Sequence, residues 1–169
     1  MAQVYIGIGS NIDKHLHIPQ VLAELNQQFG KIKVSPIYQT PAVGFEGEDF
    51  YNLVVGIDTK LTPHEMHDKL RQLEALHQRV RIGGNQFIPR TLDLDQLLND
   101  DLQIQDGLIH IPNPDILEYP FVLKPLADIA GDVIHPGLNK SIQQLWDEYD
   151  RSILKMEVVS DLPVSNISC

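Results

Sequence analysis

The stretch that most narrows what this chain can fold into is Pro89-Arg90-Thr91-Leu92-Asp93-Leu94-Asp95. Leucine and aspartate alternate with a period of two, and an extended strand turns that period into two chemically distinct faces. Leu92 and Leu94 then point one way. Asp93 and Asp95 point the other, with Cα atoms roughly 6.6 Å apart. Two carboxylates that close on one surface need a positive partner, and a divalent cation, or a pair of them, supplies it. An edge strand with a solvated acidic face is the competing reading, because Asp is poor within strands and common at their ends.

The cations are concentrated nearby. Arg71, Arg79, Arg81 and Arg90 fall within twenty residues of a chain that has only 13 Lys and Arg. Guanidinium forks suit phosphate oxygens, and carboxylate-held Mg²⁺ suits the same phosphates from the other side. The combination is the one expected of a nucleotide polyphosphate–metal site. A surface network pairing these arginines with Asp93, Asp95 and Glu74 is the alternative. The net charge of −10 argues against non-specific nucleic-acid binding. A length of 169 residues suits one domain with a full core. There is no bilayer-length apolar run, no signal-peptide pattern after Met1, and a single cysteine, Cys169, which leaves no internal disulfide framework or Cys-based zinc site. These features favour a cytoplasmic protein with no membrane partner.

Periodicity places the motif among other elements. Gln3 to Gly9 alternates as a strand, followed by a turn at Gly9-Ser10-Asn11. Ile18, Val21, Leu22, Leu25 and Phe29 recur at helical spacing up to Gly30. Lys31 to Tyr38 reads as a strand interrupted at Pro36, and Phe50 to Asp58 as another with Leu53, Val55 and Ile57 on one side. Thr62-Pro63-His64-Glu65 has the N-cap, Pro and Glu of a capping box, opening a helix whose stripe is Met66, Leu70, Leu73, His77 and Val80. A loop over Arg81 to Pro89 leads into the Asp-x-Asp strand, which runs to Leu98 before a turn at Asn99-Asp100-Asp101. Leu102 to Ile104 reads as a short strand, Pro120 to Ile129 as a helix, and Ser141 as the start of a last helix that carries Trp146. His15, His17, His64 and His67 read as surface residues. The irregular mixture of strands and helices predicts an α+β sandwich with a mainly antiparallel sheet, in one domain over residues 1–150, followed by a tail or added strand over residues 151–169.

In order and spacing, Gly9-Ser10-Asn11, Thr40-Pro41, Phe50-Tyr51-Asn52, Glu74, Arg79-Val80-Arg81 and the stretch from Pro89 to Asp95 resemble the 6-hydroxymethyl-7,8-dihydropterin pyrophosphokinase family. The resemblance covers roughly residues 3 to 150. It implies a ferredoxin-like α/β sandwich, a monomer, and Mg²⁺-dependent transfer of diphosphate from ATP to the pterin's hydroxymethyl group, giving AMP in folate biosynthesis. By position it implies that Asp93 and Asp95 hold two Mg²⁺ ions with ATP. Arg79, Arg90 and Asp95 would be the catalytic residues. Glu74, Arg79, Arg81, Arg90, His110 and Asn113 would bind ATP. Thr40, Pro41, Val43, Phe50, Asn52 and Phe121 would bind the dihydropterin, with the two phenylalanines sandwiching its ring.

Some positions depart from the family pattern. Gln86, Phe87 and Ile88 replace a basic residue, an aromatic and a glycine; Asn113 replaces a usual histidine, Tyr119 an arginine, and Gln96 an aliphatic residue. A lost charged hydrogen bond to phosphate costs about 1.5–3 kcal/mol. Two further readings therefore stand beside the kinase at this point: a divergent paralogue that binds pterin or nucleotide with weak activity or a different pterin substrate, and a metal-dependent phosphohydrolase using the same carboxylates.

Overall fold

The computed structural model describes residues 1–41, 49–77, 92–152 and 156–159. The chain opens with β1 (Ala2–Ser10), α1 (Lys14–Phe29), β2 (Lys33–Val34), β3 (Ile37–Thr40), β4 (Phe50–Thr59), α2 (Pro63–Leu76) and β5 (Asp93–Asn99). It continues through β6 (Ile104–Gln105), β7 (His110–Ile111), α3 (Asp115–Glu118), α4 (Pro120–Ala130), β8 (Ile134–His135), β9 (Lys140–Ser141), α5 (Ile142–Glu148) and β10 (Glu157–Val159). Among the described residues the main sheet runs β10-β3-β4-β1-β5, with β2 also on β4, and every pairing in it is antiparallel. The fold is the expected α+β arrangement.

Local signals explain most of the elements. α1 buries Ile18, Val21, Leu22 and Leu25, the i, i+3, i+4, i+7 stripe of a half-buried helix, and Gly30 ends it with φ at 76°. α2 carries the full capping box: Thr62 Oγ1 accepts from Glu65 N at 3.1 Å and Glu65 Oε1 accepts from Thr62 N at 2.9 Å. Ser141 caps α5 by accepting from Gln144 N.

The two sheet faces are packed differently. One presents Val4, Ile6, Ile8, Leu53, Val55, Ile57, Leu92 and Leu94 to the buried stripes of α1 and α2. The other presents Tyr5, Val54, Leu97 and Leu98 to α3, α4 and α5, where Ile116, Leu123, Leu126 and Trp146 complete a second core. A register shift between Tyr5 and Ile6 makes Leu97 an extra residue in β5. Leu97 and Leu98 thereby both join the second core.

Several readings need correction. His17 is not a surface residue: it lies on the buried side of α1, its Nδ1 2.7 Å from Nδ1 of His77, whose Nε2 lies 2.9 Å from Glu24. Leu102-Gln103 is not strand; the pairing there involves Ile104 and Gln105 with Ile111 and His110. The interruption expected at Pro36 is present: β2 and β3 lie on either side of it, because Pro36 has no N–H to give a ladder. The one-turn α3 and the small β8–β9 pair are too short to leave a periodic trace in the sequence.

Candidate functional site

Register builds the site. On β5, Asp93 pairs with Gly9 of β1 and Asp95 with Gly7. On the other side of β1, Gly9 pairs with Asn52 of β4 and Gly7 with Val54. Asn52 in turn pairs with Tyr38 of β3. One cross-strand row therefore reads Asp93–Gly9–Asn52–Tyr38, with Asp95 beginning the next. Both carboxylates are half-buried and lie on the same face as Asn52. Two inter-strand spacings set Asp93 and Asn52 roughly 10 Å apart.

The floor between them is kept low by glycine. A Cβ on Gly9 would stand 3.2 Å from Asn52 Oδ1, tighter than an ordinary contact. Asn52 is buried, and its amide nitrogen donates to Thr40 Oγ1 at 3.0 Å. That bond fixes which way the amide faces and places its carbonyl oxygen over Gly9. Thr40 pairs with Phe50, so these three residues share one corner of the open face. Next to it, Tyr38 donates its hydroxyl to Asp128 of α4. Burial, reinforced by that carboxylate, holds the phenol far above its ordinary range, so it stays protonated.

The outer edge of β5 is closed by α2. Glu74 is 2% exposed, and its Oε2 accepts from Leu94 N at 2.7 Å. Its Oε1 accepts from Arg71 Nη1 at 2.9 Å, and the same nitrogen donates to Leu94 O at 3.0 Å. Arg71 Nη2 lies 3.7 Å from Asp95 Oδ1. Gln96, the departure after the second aspartate, donates to Pro63 O and accepts from Asn99 Nδ2. It is absorbed at the start of α2.

Beyond β5, Asn113 N donates to Leu97 O at 2.9 Å, which ties the β7–α3 connection to the strand. His110 and Asn113 line a cavity of about 360 Å³ together with Gln103, Gln105 and His135. Burial holds His135 below the ordinary imidazole range. Its Nδ1 accepts from the backbone N of Gly137 and Leu138, leaving Nε2 as the protonated nitrogen. Phe121 sits in the first turn of α4, which packs on β4. The ring of Tyr119 stacks on it at 5.0 Å between centroids. Tyr119, unusual by comparison with the family pattern, thus extends an aromatic surface.

The fold brings Thr40, Phe50, Asn52, Asp93 and Asp95 onto one face, places Pro41 beside them in the chain, and sets His110 and Asn113 at a neighbouring cavity. Val43, Arg79, Arg81 and Arg90 lie outside the described residues, as do Gln86, Phe87 and Ile88. Arg71, counted above in the arginine cluster, follows the alternative offered there: it pairs with Glu74, three residues on along the helix, and approaches Asp95. Sequence reasoning missed the hydroxyl of Thr40 as the partner of Asn52, which only strand pairing reveals.

Among the described residues no group of three or more His, Cys, Asp or Glu side chains could hold a metal ion by itself. Two carboxylates suit Mg²⁺ all the same, because that ion takes one or two protein oxygens and completes its shell with water and substrate phosphates.

Comparison with known proteins gives a consistent result. The model of the family described as 7,8-dihydro-6-hydroxymethylpterin-pyrophosphokinase (HPPK) matches residues 5–131. The 2-amino-4-hydroxy-6-hydroxymethyldihydropteridine pyrophosphokinase of Aquifex aeolicus is 33% identical over 153 residues, covering 88% of this chain and 92% of that protein. The protein of the same name from Bacillus subtilis is 39% identical over 133 residues, covering 76% and 78%. Among solved structures, wild-type HPPK-DHPS of Plasmodium falciparum superposes with a TM-score of 0.67 at 16% identity. That match covers 88% of this chain and 44% of the longer one, and it speaks to the fold alone.

Proposed function

This chain belongs to the 7,8-dihydro-6-hydroxymethylpterin-pyrophosphokinase family, a pterin pyrophosphokinase of folate biosynthesis, and we propose that its reaction takes place on the sheet face that carries Asp93, Asp95, Gly9 and Asn52. The substrates are ATP and 6-hydroxymethyl-7,8-dihydropterin. The pterin hydroxyl oxygen bonds to the β-phosphorus of ATP, and the bond from that phosphorus to the α,β-bridging oxygen breaks. AMP leaves with the bridging oxygen, and the hydroxyl proton is released.

Each end of the face has its task. Asn52 offers a donor and an acceptor on one planar group, as a pterin edge requires. Thr40, Pro41 and Val43 add main-chain groups, and Phe50 and Phe121 hold the ring between them. At the other end Asp93 and Asp95 hold two Mg²⁺ ions with ATP. When bound, those ions neutralise charge on the transferred diphosphate and polarise the attacking hydroxyl. Arg79, Arg81 and Arg90 grip the phosphates, and His110 and Asn113 take the nucleoside end. The enzyme acts as a cytoplasmic monomer through residues 1–150, with residues 151–169 appended.

The single observation that supports this division is the row Asp93–Gly9–Asn52. It sets a hard-cation site and an amide roughly 10 Å apart across a glycine floor, enough for a flat heterocycle between amide and metal. The test mixes protein, Mg²⁺, ATP and hydroxymethyldihydropterin and follows AMP. AMP that appears only with pterin supports the reading. Phosphate released from ATP without pterin would instead point to a hydrolase, and binding without turnover to a paralogue that has lost the chemistry.

A further inference from the structure

We propose that Glu74 and Arg71 are positioning residues: a brace from α2 that locks the strand carrying Asp93 and Asp95. This rests on those two aspartates being the metal-holding pair. It differs from the nucleotide contact that family resemblance implies for Glu74.

The argument starts at the sheet edge. Among the described residues β5 is the last strand of its sheet, with β1 as its one strand neighbour. In an antiparallel ladder alternate residues point both backbone groups away from the neighbouring strand. Leu94, opposite Ile8, is such a residue, since its N–H and C=O go to α2 side chains. Left to themselves those groups would seek water or another strand. Glu74 Oε2 takes the N–H and Arg71 Nη1 takes the C=O, so two side chains of one helix do for Leu94 what a further strand would do. The 2.9 Å ion pair between them closes the loop.

Leu94 is the residue between the two carboxylates. A slip of one position would send it onto the open face and drive an aspartate into the α1–α2 core. Fixing the backbone of Leu94 therefore fixes the direction of both neighbours. Arg71 adds a second constraint, since its free guanidinium nitrogen reaches to 3.7 Å from Asp95 Oδ1. The same cation thus spans the buried Glu74, the strand backbone and a metal carboxylate. Misplacement of reacting groups by about 1 Å can cost roughly a hundredfold in rate.

The test uses the full chain with Glu74→Gln, Arg71→Ala, Arg71→Lys and Asp95→Asn. Five quantities are read: kcat, KM for MgATP, Mn²⁺ binding by electron paramagnetic resonance with a non-hydrolysable ATP analogue, amide exchange at Leu94 by NMR, and the melting temperature. Glu74→Gln and Arg71→Ala should lower kcat about ten- to a hundredfold while KM for ATP stays within about threefold. They should weaken Mn²⁺ binding and speed exchange at Leu94. Arg71→Lys keeps the charge but not the fork, and should recover part of kcat even if Arg71→Ala folds poorly. A raised KM for ATP with kcat and Leu94 exchange unchanged would show direct nucleotide contact and overturn the proposal. Faster exchange and a lower melting temperature with Mn²⁺ binding and kcat intact would reduce the brace to a structural one and overturn it equally. Asp95→Asn separates the two levels: if that variant binds Mn²⁺ and turns over normally, the metal assignment itself is wrong.

Discussion

The two faces of the central sheet are made by the same three strands and have opposite characters. On the α1–α2 side, β1, β4 and β5 present aliphatic side chains that are essentially all buried. On the other side the same strands place Gly7, Gly9, Asn52, Asp93 and Asp95 next to a shorter run of packed residues, Tyr5, Val54, Leu97 and Leu98. The covered face holds the fold together. The other is covered where α4 and α5 reach it, and beyond them its side chains are the wrong kind for a core. The proposed site and the main core are therefore separated by direction across one sheet, a matter of alternate residues rather than of separate segments.

That separation predicts contrasting mutational effects. Asp95→Ala should have the largest: loss of Mg²⁺-dependent diphosphoryl transfer by about a thousandfold or more, with the melting temperature nearly unchanged. Steady-state AMP formation and a thermal melt check the pair, and wild-type turnover would break the comparison. Leu22→Ala, on the covered face, should do the reverse. Leu22 is fully buried, so truncation should cost about 2–5 kcal/mol of stability, measured by urea unfolding, with kcat preserved below the transition.

Gly9→Ala tests the floor of the site. Its Cβ would press on Asn52 Oδ1, displacing the amide by a few tenths of an ångström. KM for the pterin should rise roughly three- to tenfold while KM for ATP stays put. A smaller effect belongs to the pair of His17 on α1 and His77. Burial first, then the neighbouring His77, hold His17 below its ordinary pKa, against a weaker opposing pull from Asp13. The unfolded chain then binds more protons than the folded one as pH falls through the unfolded value near 6.5, so stability is greatest above that value and declines below it. The melting temperature should fall between pH 7 and pH 5, and His17→Asn should flatten that slope. An unchanged slope would remove His17 from the account.

Much of this was legible without coordinates, for definite reasons. The capping box at Thr62–Glu65, the α1 stripe and the Leu/Asp alternation of β5 are local patterns, and local hydrogen bonding and burial period decide them. His17 was misread because its partner lies 60 residues away: a histidine at the border of a helical stripe carries no sign of what packs against it. The same holds for Tyr38 and Asp128, 90 residues apart. The two short hairpin pairs, β6–β7 and β8–β9, were missed or shifted because two-residue strands have no period to detect.

Which residues could form the two faces is written along the chain, because strand alternation commits Asp93 and Asp95 to one side and Leu92 and Leu94 to the other. The order and spacing of short polar motifs also marked the family. Which residues those carboxylates meet depends instead on how distant segments pack. Strand order put Gly9 and Asn52 beside Asp93, and the docking of α2 against the outer edge of β5 turned Glu74 and Arg71 toward Leu94. Side-chain direction is a local property of the backbone, whereas register and edge contacts arise between segments distant in the chain.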